Sequence, residues 1–291
     1  RLLLGFPAGG GSDIVARLVA KSLSDRLGQN VVVDNKPGAG GNIATEMLVR
    51  APGDGYTLLL VPSGHASGAA MKKSLPFDPI KDFEPITRLS RIAALLVVRP
   101  GLQVKSMKEL LVELKKNPGK YSFASAGNGT TSHLAGETLK AQAGLAVVHI
   151  PYRGGAAAIT DVIADRIDFM IDVMPNTAPH VRNGRLKGLA VSTLQRVSSF
   201  PDIPTIAESG VPGFDVSAWD ALFAPAGTPP AVLEKVGQAM QKILADESLK
   251  QQLSSRGSES SPTTPGGLRS FIQVEIERWG QAIKRSGTTV D

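Results

Sequence analysis

Short apolar runs alternate with four-residue apolar periodicity along most of this chain, and that alternation predicts its elements. Leu2-Leu4, Val31-Val33, Thr57-Val61 and Ala93-Val98 are apolar or β-branched stretches of strand length. Between the first two, Val15, Val19, Leu23 and Leu27 recur every fourth residue and Gly28 follows, which predicts an amphipathic helix with a glycine stop. Ser106-Met-Lys-Glu109 has the spacing of a capping box and opens a helix through Leu110, Leu111 and Leu114, ended by Asn117-Pro118-Gly119. Tyr121-Ser125, Val147-Ile150, Ile167-Ile171 and Leu186-Val191 read as further strands, separated by helical stretches near 131–143, 156–165 and 176–183. Such βα alternation predicts an α/β fold of mostly parallel sheets flanked by helices.

The last third differs. After a loop-rich stretch over 201–214 and a strand over Ala218-Phe223, Thr228-Pro-Pro230 and Thr264-Pro265 predict two helix starts, the second helix running toward Lys284. A helical tail behind the alternating region predicts that the chain returns to a first lobe. Natural crossings are Arg99-Pro100-Gly101 and the segment around Ala221-Pro225. Lobe one is therefore expected at 1–99 and 222–291, lobe two at 100–221, with a ligand cleft between them. No repeat of solenoid period is present.

Two strand-to-helix junctions concentrate the candidate chemistry. Phe6-Pro-Ala-Gly-Gly-Gly-Ser-Asp13 and Ser125-Ala-Gly-Asn-Gly-Thr-Thr-Ser-His133 each follow an apolar run and open a periodic helix. Each is expected to expose backbone N–H groups at the positive end of a helix dipole, which suits a small anion. Glycine after a strand is common in tight turns, but three in succession cost conformational entropy and favour a binding role for Gly9-Gly10-Gly11. Capping is the commonest job for Ser12 or Asp13; Asp13 would repel a carboxylate unless it faced backbone amides or another donor. Ser125, Thr130, Thr131 and Ser132 exceed what capping needs, so at least one hydroxyl is expected to be free for a ligand oxygen.

Composition narrows the classes. No cysteine is present, which removes disulfides, thiolate nucleophiles and thiolate metal sites together. Lys and Arg number 32 against 26 Asp and Glu, a net charge of +6 that is diffuse, and aromatics are only 5%; a stacking, basic nucleic-acid face is not expected. The longest clean apolar run, Ile92-Val98, is far short of the roughly 20 residues of a membrane span. Arg1 leads directly into a strand, as though an upstream segment, a secretory signal or another, had been removed or left out.

Nucleotide and catalytic motifs fail on spacing. Neither junction ends in Gly-Lys-Ser/Thr, and Pro37-Gly-Ala-Gly-Gly-Asn-Ile43 departs from the dinucleotide fingerprint at Ile43, so no cofactor is expected. His65, His133, His149 and His180 lack metal-ligand spacing, and no Gly-x-Ser-x-Gly elbow occurs; no catalytic residue and no metal site is assigned. His65 follows a strand in Pro62-Ser-Gly-His-Ala, where a ligand contact and a surface histidine are about equally expected.

A resemblance emerges from the motifs taken together. Pro7-Ala-Gly-Gly-Gly-Ser-Asp13 with Ala16-Arg17, Asn35-Lys-Pro-Gly-Ala-Gly-Gly-Asn-Ile43 and Asp78-Pro-Ile-Lys-Asp-Phe-Glu-Pro-Ile-Thr87 resemble the solute receptors of tripartite tricarboxylate transporters, the Bug family. Pro151-Tyr-Arg-Gly-Gly155, Pro201-Asp-Ile-Pro-Thr205, Glu208-Ser-Gly-Val-Pro-Gly-Phe214, Trp219 and Ala224-Pro-Ala-Gly-Thr-Pro229 continue it in order over the whole chain. The resemblance implies a two-lobed periplasmic binding protein of the type II Venus-flytrap kind, a carboxylate ligand and membrane permease subunits as partners. It places one carboxylate between the loops at 8–13 and 125–132, with Phe6, Ala8, Gly9, Gly10, Ser12, Asp13, Ser125, Gly127, Thr130, Thr131 and Ser132 as candidate contacts.

It further implies that Ser63, His65, Tyr152, Arg153 and Asp172 wall the site. Arg153 stands where relatives commonly have Lys, Ala156-Ala157-Ala158 where they have Pro, and Asp165 where they have Gly, so the distal pocket that selects the ligand is the least constrained part. Arg153 is a candidate for a second ligand carboxylate, and Phe6, Tyr152 or Trp219 for stacking on an aromatic acid, with a core role favoured for Trp219. A carboxylate sensor acting on a signalling partner, or a soluble enzyme on the same scaffold, are the competing functions; the second lacks an acid/base pair.

Overall fold

The computed structural model describes residues 1–71 and 75–286. In chain order the elements are β1 (Leu2–Leu4), α1 (Gly11–Leu27), β2 (Val33–Asn35), a 3-10 turn at Ala39–Gly41, α2 (Asn42–Val49), β3 (Leu58–Pro62), α3 (Gly64–Met71) and β4 (Phe83–Val98). They continue with α4 (Met107–Lys116), β5 (Ser122–Ser125), α5 (Thr131–Ala143), β6 (Val148–Pro151), α6 (Gly155–Ile163), β7 (Phe169–Val173), α7 (Met174–Arg182) and β8 (Lys187–Val191). Last come β9 (Ser217–Pro225), α8 (Pro230–Ala245), α9 (Glu247–Ser254), β10 (Ser258–Ser260) and α10 (Pro265–Ser286).

The chain divides into two compact units. The first comprises Arg1–Arg91, Trp219–Ser254 and Glu259–Gly280; the second comprises Ile92–Ala218, Ser255–Ser258 and the segment from Gln281. β4 and β9 each contribute residues to both.

In the first unit, β1 pairs in parallel with β2 and β3, while β9 pairs antiparallel with β3 through Leu60↔Leu222 and Pro62↔Asp220. One sheet face carries Leu2, Leu4, Leu58 and Leu60. Against them pack Val15, Val19 and Leu23 of α1, then Met240, Ile243 and Leu244 of α8 and Leu249 and Leu253 of α9. The four-residue spacing of the α1 apolar positions is what turns one stripe of the helix inward, and each such side chain contributes about 1.5–3 kcal/mol by leaving water. Gly28 ends α1 at φ 64, donating its amide to the Ser24 carbonyl.

In the second unit, β5 lies parallel between β6 and β7, and β4 runs antiparallel to both β7 and β8. Leu95, Val97, Ala124 and Met170 pack against Ala158, Ile159 and Val162 of α6 and Met174 and Ala178 of α7. Ser106 caps α4 by accepting from the Glu109 amide, while the Glu109 carboxylate accepts from the Lys105 amide, one residue upstream of the box position read from sequence.

Parallel pairing predominates among β1, β2 and β3 and among β5, β6 and β7, and the sheets are mixed because β9 runs against β3 and β4 runs against β7 and β8. β4 is also longer than the predicted Ala93-Val98, since Glu84, Arg88 and Arg91 broke the apolar run of its first half. Arg88 is accommodated there by its Ser261 contacts and by lying 4.6 Å over the Phe271 ring of α10. Thr228 does not cap α8; its hydroxyl donates to the Pro225 carbonyl instead, and Pro229 stands at the N-cap. The helices α3 and α9 were not anticipated.

Candidate functional site

The first junction is held open by its own side chains. Gly9 sits at φ 81, and Gly10 is the N-cap of α1 with no side-chain cap. The Gly9 amide donates to Asp13 Oδ2 at 2.9 Å, Asn35 Nδ2 donates to Asp13 Oδ1 at 2.9 Å, and Arg17 Nε donates to Oδ2 at 2.8 Å. Burial pushes the Asp13 carboxyl up, but the Arg17, Gly9 and Asn35 donors outweigh it and hold the group below the usual range. Asp13 therefore faces a backbone amide and two side-chain donors, as the sequence required of an acid at this place. The Ser12 hydroxyl donates to Asp220 Oδ1 at 2.8 Å and does not cap the helix either. The first N–H groups of α1 have no intrahelical acceptor, and among the described residues neither Ser12 nor Asp13 caps them. Ala8 and Gly9 are exposed, and Phe6 is half-buried beside Gly41 and Gly64.

The second junction uses its hydroxyls internally. Ser125 Oγ lies 2.6 Å from His149 Nε2 and accepts the Gly127 amide at 3.2 Å. Thr130 donates to the Gly127 carbonyl at 2.6 Å and accepts from the His133 amide, so the 3.1 Å contact between Thr130 and Ser132 is donated by Ser132. Ser132 Oγ also accepts the Ala126 amide at 2.8 Å. Three of the four hydroxyls thus build the turn, and Thr131 is buried. Short polar side chains in a turn satisfy the adjacent backbone, and Ser125, Thr130 and Ser132 do so here.

The turn at 152–155 adjoins this junction within the second unit. The Tyr152 amide donates to the Ser125 carbonyl at 3.0 Å, and the Tyr152 hydroxyl donates to Asp161 at 2.7 Å. Burial, followed by that bond, pushes the phenol up to about 12. Gly154 is the N-cap of α6, again with no side-chain cap, and Arg153 is exposed. A Cβ on Gly155 would stand 2.4 Å from Asp172 Oδ2 and 2.3 Å from Asn176 Nδ2, so only glycine lets the first turn of α6 approach this carboxyl. Asp172 is 3% exposed, accepts from Asn176 Nδ2 at 2.8 Å, and is pushed by burial up to about 6.

Two expected wall residues lie in the first unit. Ser63 is buried at the end of β3 and its carbonyl starts α3 by accepting the Ala66 and Ser67 amides. His65 is packed among Phe77, Phe83 and Phe223 and donates from Nε2 to the Pro79 carbonyl at 2.9 Å; burial pushes its pKa down. That packing places the His65 ring in an aromatic cluster rather than at the surface. Trp219 donates to Glu275 at 2.8 Å and meets Phe271 edge-on, the core role favoured from sequence.

Asp220 escaped the sequence reading. It is fully buried on β9, accepts from Ser12 at 2.8 Å and from Ser90 at 3.3 Å, and burial raises its carboxyl to about 6. A single charged residue within Ser217-Ala-Trp-Asp-Ala-Leu-Phe-Ala-Pro225 was the available signal.

His133, Glu137 and His149 bring one ligand atom each within 4.8 Å of one another, a cluster that spacing had not suggested. The donor set does not suit a metal ion. His133 Nδ1 accepts the Gly129 amide at 3.1 Å, so the neutral ring carries its proton on Nε2. His149 is engaged by Ser125, and both Glu137 oxygens accept from Lys140 Nζ at 2.8 and 2.9 Å. The two imidazoles stack at 4.2 Å and 18°, which keeps their in-plane lone pairs from converging. Burial, with His133 and Lys140 nearby, pushes His149 down to about 4.

A model of the tripartite tricarboxylate transporter family receptor matches residues 15–288. Among solved structures, the chain is similar to Rpa4515 of Rhodopseudomonas palustris with adipate, at 32% identity and TM-score 0.96, covering 98% of this chain and 96% of that one. It is similar to the periplasmic binding protein BugD at 36% identity and TM-score 0.93, covering 99% and 97%. It is also similar to MatC from Rhodopseudomonas palustris with bound malate, at 30% identity and TM-score 0.90, covering 97% of each.

Proposed function

The chain belongs to the tripartite tricarboxylate transporter receptor family, and from that premise we propose that it is a periplasmic receptor that binds a small organic dicarboxylate of the adipate or malate kind and delivers it to a membrane permease. One observation carries the reading most directly: α1 begins at Gly10 without a side-chain cap, while the two nearest candidates, Ser12 and Asp13, are turned to other partners. An uncapped helix start is an unmet demand for an acceptor, and a carboxylate meets it. In the second unit, α6 likewise starts at a glycine, Gly154, with no side-chain cap.

Charge-assisted hydrogen bonds of this kind contribute about 1.5–3 kcal/mol each, so three or four support micromolar affinity after the costs of association. Capture without chemistry is the accompanying reading. Ser125 with His149 comes nearest to a nucleophile and base, but Ser125 is fully buried and its oxygen already serves the Gly127 amide. Arg153, exposed at the 152–155 turn, is the candidate for the second carboxylate. Isothermal titration calorimetry with adipate and with malate is the direct test: saturable one-to-one binding supports the receptor, and no heat from either, nor from other four- to six-carbon diacids, overturns it.

A further inference from the structure

We propose that Asp220 is a positioning residue of the carboxylate site, which acts through Ser12 so that the α1 junction takes up a proton together with its ligand. The inference rests on the receptor reading above and assigns that site a regulation of its own.

Asp220 is a carboxyl group with no exposure whose partners among the described residues are hydroxyls, Ser12 of α1 and Ser90 of β4. Charged side chains on the packed elements are turned elsewhere. On α1, Asp13 pairs with Arg17; on β4, Arg88 contacts Ser261 and Phe271, and Arg91 is exposed. β3 presents Pro62 opposite Asp220 and carries no charge, and on β9 itself the neighbouring Trp219 turns to Glu275. An ionised Asp220 is therefore a buried charge without a counter-charge, a state that favours protonation. Burial, against the lowering pull of the Ser12 and Ser90 hydroxyls, raises its carboxyl to about 6, close enough to neutrality for a nearby anion to complete the protonation.

Ser12 links that event to the ligand because it has one proton to give. While Asp220 is ionised, the Ser12 hydroxyl hydrogen points inward to Oδ1. Once Asp220 is protonated, its O–H donates to Ser12 Oγ, and the Ser12 hydrogen is released toward the uncapped start of α1 two residues from Gly10. The hydroxyl thereby changes from a donor to an internal charge into a donor for the bound carboxylate. A ligand accepting from Ser12 would also stand two hydrogen bonds from Asp220, roughly 5–6 Å, so an ionised Asp220 would repel it. Both effects act in one direction. Binding favours the protonated form, and by reciprocity protonation favours binding.

The experiment measures adipate and malate affinity by calorimetry from pH 5.5 to pH 8, at each pH in two buffers of different ionisation enthalpy. The expected result is affinity that rises as pH falls from 8 toward 6, by up to about tenfold per unit, levels below 6, and is accompanied by net proton uptake. Asp220→Asn, which keeps a donor toward Ser12 and cannot ionise, is expected to bind at pH 8 as tightly as the wild type does at pH 5.5, with no uptake. Carbon NMR of the Asp220 carboxyl in the wild type needs no variant: its protonated shift should persist at pH 7 in the complex and not in the free protein. Binding that is flat with pH and free of proton uptake overturns the inference and leaves the receptor reading standing, as does uptake undiminished in Asp220→Asn or an ionised Asp220 in the complex. Absence of binding at every pH removes the receptor reading and this inference together.

Discussion

The backbone amide of Gly9 donates to the carboxylate of Asp13, four positions on, across 2.9 Å, tying the glycine run to the first turn of α1. The contact draws the acid of the first turn back onto the glycine run and leaves the helix start to its N–H groups. Replacing Asp13 with Ala should remove the acceptor of the Gly9 amide and one of the two acceptors of Asn35 Nδ2, the Phe6 carbonyl being the other, at a cost of about 1–2 kcal/mol in urea unfolding. Arg17 adds little, because its side chain is 56% exposed. The Asp13 pKa is lowered on folding, so its contribution is present above the ordinary value of 3.8 and is lost as pH falls through the folded value. A wild-type and variant gap that stayed constant down to pH 2 would contradict this account.

Neighbouring glycines of the same loop should respond differently. Gly10 has φ −80, and an added Cβ meets only the Pro7 carbonyl at 3.5 Å, so Gly10→Val should change stability by no more than about 0.5 kcal/mol while weakening dicarboxylate binding tenfold or more. Gly9→Ala forces a side chain onto φ 81 and should cost about 1–2 kcal/mol of stability. Thermal unfolding beside calorimetry separates the two, and equal loss of folding in Gly10→Val would make the glycine run purely structural.

Asp172 and Asp220 should each lower stability at neutral pH. Burial raises both from 3.8 to about 6, roughly two units at 1.36 kcal/mol each, or at most about 3 kcal/mol apiece. A raised acid stabilises the fold fully below the unfolded pKa and loses that contribution as pH rises through about 6. Asp172→Asn and Asp220→Asn should therefore match the wild type near pH 4 in their pH trend and gain on it between pH 4 and pH 7, measured by chemical denaturation. A gap that opened on acidification instead would reverse the assignment.

The His133, Glu137 and His149 cluster should not take up zinc. One equivalent of zinc at pH 7 is expected to leave the thermal transition where it was, because the lone pairs are already committed to Gly129, Ser125 and Lys140. A shift of several degrees that His149→Phe abolished would establish a metal site. The low pKa of His149 gives the cluster a second signature: its neutral ring should cost stability as pH falls from 6.5 toward about 4.

Much of the scaffold was legible because the apolar positions of this chain report directly on which faces are buried. The α1 stripe of Val15, Val19 and Leu23, the Gly28 stop and the Ser106 cap were all readable. The first half of β4 was not, since Arg88 is housed by the Phe271 ring and by Ser261, more than 170 residues away. The glycine-rich junctions were visible as helix starts, yet the use of their hydroxyls was not, because Ser125 is committed to His149 on another strand. Asp220 was missed for the same reason: its meaning depends on Ser12, 208 positions earlier.

The way β9 completes the first unit also orders events in time. Leu59 pairs with Phe223 and Pro62 with Asp220, so that sheet cannot close until residues near 225 have left the ribosome or found their place in the refolding chain. The second unit is nearly continuous from Ile92 to Ala218 and can assemble from contacts much closer in sequence. Its sheet is the natural first structure, and the long-range β3–β9 pairing, burdened by loop-closure entropy, is the natural slow step. A nascent or refolding chain would thus hold its α1 junction incomplete until the end, with Asp220 arriving last to meet Ser12.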